Sequence, residues 1–208
     1  MAQSVTDICN RALQKLGAKR ITSISEASPS GRAVNLAYPI IRQAEMRKFD
    51  WNFAITRVQI AADNPAPTWG RANAFQLPAD FIKLTNSYPE SFYSADNNTL
   101  SFGSSTASTG QSDWVIETGN KVLTNSASPL NVRYIADITD TSLWDPIFCE
   151  VVSTALALEI CEELTQSNTK KSQLMAEYKD LIEEAKHADS IEIAPSNPPP
   201  DTFETCRN

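Results

Sequence analysis

The longest apolar segment of the chain lies between residues 145 and 165, and its hydrophobic positions spread around most of a helical wheel. Asp145 followed by Pro146 is typical of a helix start, because the carboxylate accepts free amides of the first turn and proline has no amide to leave unpaired. Such a helix should be buried on nearly every side. A narrow strip of mostly small residues suits close approach by a helix of the same chain or of a second copy. The residues of this strip that form the candidate subunit interface are Ser153, Thr154, Ala157 and Cys161.

Amphipathic patterns predict a helix near each end of the chain. Ser4 can cap a first helix together with Asp7, and Gly17 supplies a left-handed stop. Asn168 can cap a last helix, whose predicted inward side repeats at helical spacing. That side contains Leu174, Tyr178, Leu181, Ile182, Ala185 and Ala188.

A second helix is predicted from about Ser30 to Phe49. Pro39 lies inside it, and a proline there removes a backbone hydrogen bond and crowds the preceding turn. We therefore expect a kink or a break near Leu36. The predicted apolar stripe, which we expect to face the core, contains Ala33, Leu36, Ala37, Ile40, Ile41 and Ala44.

After residue 50 the hydrophobic period changes from helical to alternating. Trp51, Phe53 and Ile55 fall on one face, and a phase shift before Val58 indicates a β-bulge. Further along, a Leu77-Pro78 turn separates two extended pieces.

Short strands with tight turns continue the region and favour an antiparallel arrangement. Residues 114–117 and 121–124 flank Gly119-Asn120, a pattern typical of a hairpin, and residues 130–135 predict the next strand.

These elements predict an α+β fold. Residues 1–50 and 136–190 should form a helical bundle, with an antiparallel β region inserted at 51–135. The small-polar segment 103–112 is predicted to be a flexible exposed loop. Residues 191–208 should be extended or disordered until something binds them. Candidate partner-docking residues of this tail are Ile191, Pro198, Pro199, Pro200 and Phe203.

Charge and composition narrow the possible partners. The chain of 208 residues has a formal net charge of −7, which disfavours wrapping nucleic acid or lying on an anionic membrane. Residues 1–104 carry 11 basic and 8 acidic side chains, whereas residues 105–208 carry 7 and 17. We expect neither a signal peptide nor a membrane span, and synthesis in a cytosol with reduced cysteines.

No catalytic motif is evident. A histidine triad or a multi-histidine metal site is excluded, because His187 is the single histidine and we expect it at the surface. Glu26 and Glu45 are conceivable glycosidase carboxylates without a supporting motif. We predict no cofactor and no metal.

The four tryptophans could be core fillers or interface anchors. Trp51 and Trp144 begin or precede predicted elements, so we expect both in the core. The sequence does not assign Trp69 or Trp114 to either role.

Several short sequence pieces follow one another in a distinctive order. They are DICNRALQKLG, FDWNFA, FQLPADFI, a hairpin, VRYIADITDTSLWDPIFCEVVSTALALEICEELTQS and YKDLIEEAKHADS. The co-occurrence of WNFA, LPxDF and YIxDxTDxxxWDPxF resembles the head-to-tail adaptor family of short-tailed bacteriophages, of the tail tubular protein A type. The resemblance covers about residues 5–190, and neither the Ser/Thr loop nor the proline-rich tail belongs to it.

The resemblance implies a structural, non-enzymatic protein of the virion neck, made in the host cytoplasm. Members form a twelve-subunit ring between the portal protein and the tail nozzle protein, and DNA passes through the lumen without sequence-specific binding. Tail fibres are a further candidate partner. A helix apolar nearly all round independently favours cover by a second copy. Acidic residues suit such a conduit, since a basic lumen would retain phosphates. Candidate lumen acids are Glu150, Glu162, Glu163, Glu183 and Glu184.

Two functions of other classes remain open. One is a virion-associated cell-wall glycosidase, and the other is a tail fibre-attachment module. Turnover of peptidoglycan would indicate the first, and selective binding to a fibre or host receptor the second.

Overall fold

A computed structural model of the chain describes residues 3–85 and 114–192. Within these ranges the fold is α+β, as predicted, with four α-helices and two three-stranded antiparallel sheets. The helices are α1 Val5–Leu16, α2 Pro29–Lys48, α3 Pro146–Thr165 and α4 Asn168–Ile191. The strands are β1 Ile55–Ile60, β2 Asn73–Gln76, β3 Phe81–Leu84, β4 Trp114–Glu117, β5 Lys121–Thr124 and β6 Leu130–Ala136.

Local capping chemistry explains where the helices begin and end. Ser4 and Asp7 form a complete capping box at α1, and Gly17 closes that helix with a φ of 72°. The Asp145 side chain accepts from the amide of Ile147 at the start of α3. The prediction of Asn168 as the cap of α4 is wrong by one residue, because the Ser167 hydroxyl accepts from the amide of Lys170.

Helix α2 runs without a break through Pro39, so a break near Leu36 is excluded. The predicted inward stripe is also partly wrong. Ala33 is buried, but Leu36 is 75% exposed and Ile40 is 63% exposed. The buried residues of α2 are Gly31, Ala33, Val34, Tyr38, Glu45 and Met46.

The strands form two separate sheets, ordered β1-β6-β3 and β2-β5-β4. The hairpin around Gly119-Asn120 is confirmed, with Ile116 opposite Val122. In the other sheet the central strand β6 pairs with β1 in regular register, placing Ile55 opposite Ile135. The predicted bulge before Val58 is wrong, because β1 pairs with β6 without interruption from Ile55 to Ile60. Phe53 lies before the strand, in the 3₁₀ turn Asn52–Ala54.

Two apolar clusters stabilise this arrangement. The larger one joins all four helices with Trp51, Ala54 and Ile135. The smaller one fills the space between the sheets around Phe75, Val122 and Leu130. None of the helices in the described ranges has the length and apolar character needed to cross a membrane.

Candidate functional site

The motifs that carry the family resemblance pack against one another in two groups. In the first, Trp51 and Phe53 lie 4.9 Å from Phe148 between ring centroids, and Trp144 lies 5.1 Å from it. The indole nitrogen of Trp51 donates to the Glu45 carbonyl at 3.0 Å. WNFA and WDPIF therefore build one aromatic cluster in the helical core, and the predicted core positions of Trp51 and Trp144 are confirmed.

The second group joins LPADF to the end of β6. The Tyr134 hydroxyl donates to Asp80 at 3.1 Å, and the amide of Asp137 donates to the Asp80 carbonyl at 2.7 Å. Burial, followed by the neighbouring Asp80 carboxylate, raises the pKa of Tyr134 to about 12. Its hydroxyl therefore stays a proton donor at physiological pH.

Helix α2 is clamped onto this group by a bidentate ion pair. The Arg42 guanidinium donates to Asp137 at 2.9 and 2.7 Å, and Gln43 adds a 2.8 Å hydrogen bond to the same carboxylate. Both charged side chains are mostly buried. A bidentate pair fixes the orientation of the Arg42 guanidinium as well as its distance from Asp137. The pair therefore determines which face of α2 points outward.

A groove of about 420 Å³ lies between α2 and β3, and we call it the α2–β3 groove. Its walls are mixed, with apolar side chains and polar groups that already have partners. Arg47 donates to the Ile82 carbonyl across one end of the groove. The lining residues are Ile40, Gln43, Ala44, Arg47, Ala79, Asp80, Phe81, Ile82 and Asp137.

An exposed row of α2 side chains continues the apolar wall of this groove. We define the α2 stripe as Arg32, Leu36, Ile40, Gln43 and Arg47, all exposed. Their spacing of four, four, three and four residues places them on one helix face. The stripe has two aliphatic side chains in its middle and an arginine at each end. It is the candidate functional site that the geometry supports best.

A second groove, of about 770 Å³, lies on the outer face of the β2-β5-β4 sheet. Trp69 stands at its edge and is 87% exposed, whereas Trp114 is partly buried against the smaller core. This assigns the two tryptophans that the sequence left open. The groove is lined by Pro65, Pro67, Thr68, Trp69, Gly70, Arg71, Ala74, Val115, Glu117, Lys121, Leu123 and Asn125.

The predicted subunit interface on α3 is wrong as a free surface. Ser153, Thr154, Ala157 and Cys161 are each at most 1% exposed within the single chain. Glu150 shares their strip and pairs with Arg11 of α1 at 3.0 Å, so the strip faces a helix of the same chain. Of the two partners that the pattern allowed, the intramolecular one is present.

Of the candidate partner-docking residues of the tail, only Ile191 lies within the described residues. Ile191 is the last helical residue of α4 and is exposed, so the predicted extended tail begins later than expected. The predicted docking residues Pro198, Pro199, Pro200 and Phe203 lie outside the described residues, as does the loop at 103–112.

The carboxylates considered for hydrolysis have structural partners. Glu45 is 2% exposed, and its oxygens accept from Lys48 at 2.6 Å and from the Tyr178 hydroxyl at 2.8 Å. Glu26 accepts from the amide of Thr22 at 2.9 Å, and this bond is the first cause of its lowered pKa. Both groups hold local structure together.

Other reactive groups are also withdrawn from solvent or isolated. His187 is exposed, as predicted. Burial raises the pKa of Cys9 to about 12 and that of Cys149 to about 11, so neither forms a thiolate readily. Within 3–85 and 114–192, no group of three or more His, Cys, Asp or Glu side chains could hold a metal ion.

Asp189 closes the last turn of α4 onto the segment that follows α2. Its Oδ1 accepts from the amide of Asn52 at 3.0 Å, and its carbonyl accepts from the Asn52 side chain at 2.7 Å. Its Oδ2 is buried and has no hydrogen-bond partner among the described residues. Burial, with the nearby carboxylates of Glu192, Asp145 and Asp50, raises the pKa of Asp189.

Sequence reasoning did not single out the α2 stripe, since it assigned Leu36 and Ile40 to the core. The helical wheel of α2 has aliphatic residues on both sides, so it does not indicate which side packs against the core. The available signal was Arg32 and Arg47, which fall on the same face as Leu36 and Ile40. No protein-family model matches the chain, and no curated protein matches it.

Proposed function

We propose that the protein is a structural assembly protein of a short-tailed phage, a head-to-tail adaptor that forms a ring between the portal and the tail nozzle. The observation that carries the proposal is the α2 stripe with its adjoining groove. Two neighbouring aliphatic side chains, exposed beside a groove with mixed walls and flanked by arginines, have the composition of a protein–protein contact. The ordered motifs of the sequence supply the particular kind of assembly.

The surface proposed for assembly is not the one that the sequence indicated. Helix α3 is covered by α1, α2 and α4 of its own chain, so its all-round apolar character does not call for a second copy. The stripe on α2 replaces it as the surface that a neighbouring molecule would cover. Contacts between unlike surfaces of successive copies would close into a ring.

A portal-binding experiment tests the proposal. Purified full-length protein is mixed with portal rings, and the product is weighed by native mass spectrometry and imaged. We expect a complex with a fixed number of copies per portal ring. Because the free protein can be a monomer that assembles only on the portal, its own size in solution is not the readout. Failure to bind, together with peptidoglycan turnover or selective fibre binding, would overturn the proposal.

Variants of the stripe locate the contact. The double substitution Leu36→Ser with Ile40→Ser should weaken portal binding at least tenfold, about 1.4 kcal/mol. Met175→Ser, which changes an exposed apolar residue of α4, is the matched control and should leave binding unchanged. Melting temperatures of all variants should stay near that of the parent, because these side chains are exposed.

The passage of DNA through a lumen forms part of the same proposal. Glu150 is tied to Arg11 and to Lys15, so it is a poor candidate for a lumen acid. Glu162, Glu163, Glu183 and Glu184 are more exposed than Glu150, although Glu162 pairs with Lys171 and Glu183 with Lys186.

Replacing these four glutamates by lysine should slow genome ejection from assembled particles, because the new cations would retain the phosphates. Ejection kinetics are measured on phage carrying the variant, with Glu117→Lys on the sheet as the control. Unchanged kinetics would contradict an acidic lumen on this face.

A further inference from the structure

The α2 stripe has nothing covering it among the described residues, and its surroundings suit an extended segment. Leu36 and Ile40 are four residues apart on one helix face, and Ile40 also lines the α2–β3 groove. Single exposed aliphatic residues are ordinary, but two in a row beside a groove make a continuous apolar surface. Phe81 and Ile82 extend that surface on the side of β3.

The chain leaves α4 close to one end of this stripe. Asp189, two residues before the end of α4, is hydrogen-bonded to Asn52, which follows the last residue of α2 by four positions. The last turn of α4 therefore lies against the segment just beyond the end of α2 that carries Arg47. Residues 193–208 begin at that point.

Length and composition also match. From Arg32 to Arg47 the stripe covers 15 helical steps, about 22 Å at 1.5 Å per residue. A polyproline II segment advances about 3.1 Å per residue, so about seven residues span it, and the 16 residues of 193–208 leave enough chain to reach it. Pro198–Pro200 favour that conformation at low entropic cost, and Phe203 supplies a large apolar side chain.

Charge supports the same pairing. Residues 193–208 contain Asp201 and Glu204 against a single arginine, and the stripe offers Arg32 and Arg47. Asp137 in the adjoining groove does not oppose this, because it is paired with Arg42.

We propose that residues 193–208 of this chain bind back along its own α2 stripe, with the proline run and Phe203 packed on Leu36 and Ile40. The contact is intramolecular and does not depend on the adaptor function. It places a segment of the same molecule on the surface that any partner of α2 would have to take over.

Disulfide trapping in the full-length protein tests this proposal. Cys206 lies in the segment, while Cys9, Cys149 and Cys161 are buried. Gln43→Cys adds a thiol on the stripe. Lys179→Cys adds one on the exposed side of α4, 12 residues before Ile191, and is the matched control. Under a mild oxidant, we expect the Gln43→Cys protein to form its intramolecular disulfide with Cys206 about ten times faster than the control.

Two further variants separate docking from simple proximity. Phe203→Ser in the Gln43→Cys background should reduce the rate to that of the control, and so should Leu36→Ser with Ile40→Ser. Hydrogen exchange of amides 201–206 in the parent chain should become faster with the same two α2 substitutions, which gives a readout without any new cysteine. Equal rates at both positions, no effect of Phe203→Ser, or mainly intermolecular disulfides would overturn the proposal.

Discussion

Glu45 illustrates how a buried charge is used at the scale of one residue. Its carboxylate is almost completely buried between α2 and α4, where Lys48 and the Tyr178 hydroxyl both donate to it. The Lys48 ammonium also donates to Tyr178 at 2.7 Å and lies 5.0 Å from the centre of its ring. Removing one partner leaves a buried oxygen unsatisfied, which costs more than the pair contributes.

Tyr178→Phe should therefore lower the free energy of unfolding by roughly 1–3 kcal/mol. Urea denaturation at neutral pH measures the change. The control is Lys186→Met, which breaks an exposed ion pair with Glu183 and should cost less than about 1 kcal/mol. Equal effects of the two substitutions would show that the buried network contributes no more than a surface pair.

Asp189 makes stability depend on pH. Its pKa is raised in the folded chain, so the native state binds a proton more tightly than the unfolded state does. Stability from this group is therefore greatest at low pH and falls as pH rises from about 4, the ordinary aspartate value, through the raised pKa.

Asp189→Asn removes this titration while its side-chain carbonyl can still accept from Asn52. The unfolding free energy of the variant minus that of the parent should increase as pH rises through that window. Urea denaturation series between acid and neutral pH measure the difference. A difference that does not change with pH would contradict the raised pKa.

At the scale of elements, the sequence predicted starts and ends better than faces. Caps and turns are set by residues a few positions apart, so the capping box at Ser4, the left-handed Gly17 and the Asp145-Pro146 start were all readable. The outward face of α2 depends on Arg42 reaching Asp137, which is 95 residues away. The burial of the small-residue strip on α3 likewise depends on α1, which is distant in the sequence. Contacts of this range leave no periodic signal in one sequence.

Ala157→Leu tests the corrected position of α3. Because Ala157 is fully buried within the chain, the larger side chain should destabilise the isolated monomer by about 1–3 kcal/mol. Glu159→Leu, at an exposed position of the same helix, should change stability by less than about 0.5 kcal/mol. Denaturation at low protein concentration separates the two. A neutral Ala157→Leu would return the strip to the list of possible subunit contacts.

At the scale of the whole molecule, one helical core joins α1 to α4. Helix α3 lies in it with α1, α2 and α4, and Cys9, Cys149 and Cys161 are distributed through it. Their thiols therefore report on the integrity of the core as a unit. The high pKa values of Cys9 and Cys149 add a chemical barrier to the steric one.

In a Cys206→Ser variant, none of the three remaining thiols should react with an aromatic disulfide reagent at pH 8 while the protein is folded. All three should react once guanidinium unfolds it. The reagent's colour change counts thiols and gives the rate. Rapid reaction of one thiol under native conditions would contradict its burial.

Helix α2 is attached to two different parts of the molecule through the C-terminal half of its length. Arg42 joins it to Asp137 at the end of β6, and Glu45 with Lys48 joins it to Tyr178 on α4. A mechanical load applied to the outer side of this helix would be shared between the β1-β6-β3 sheet and α4. Neither attachment would carry the whole of that load.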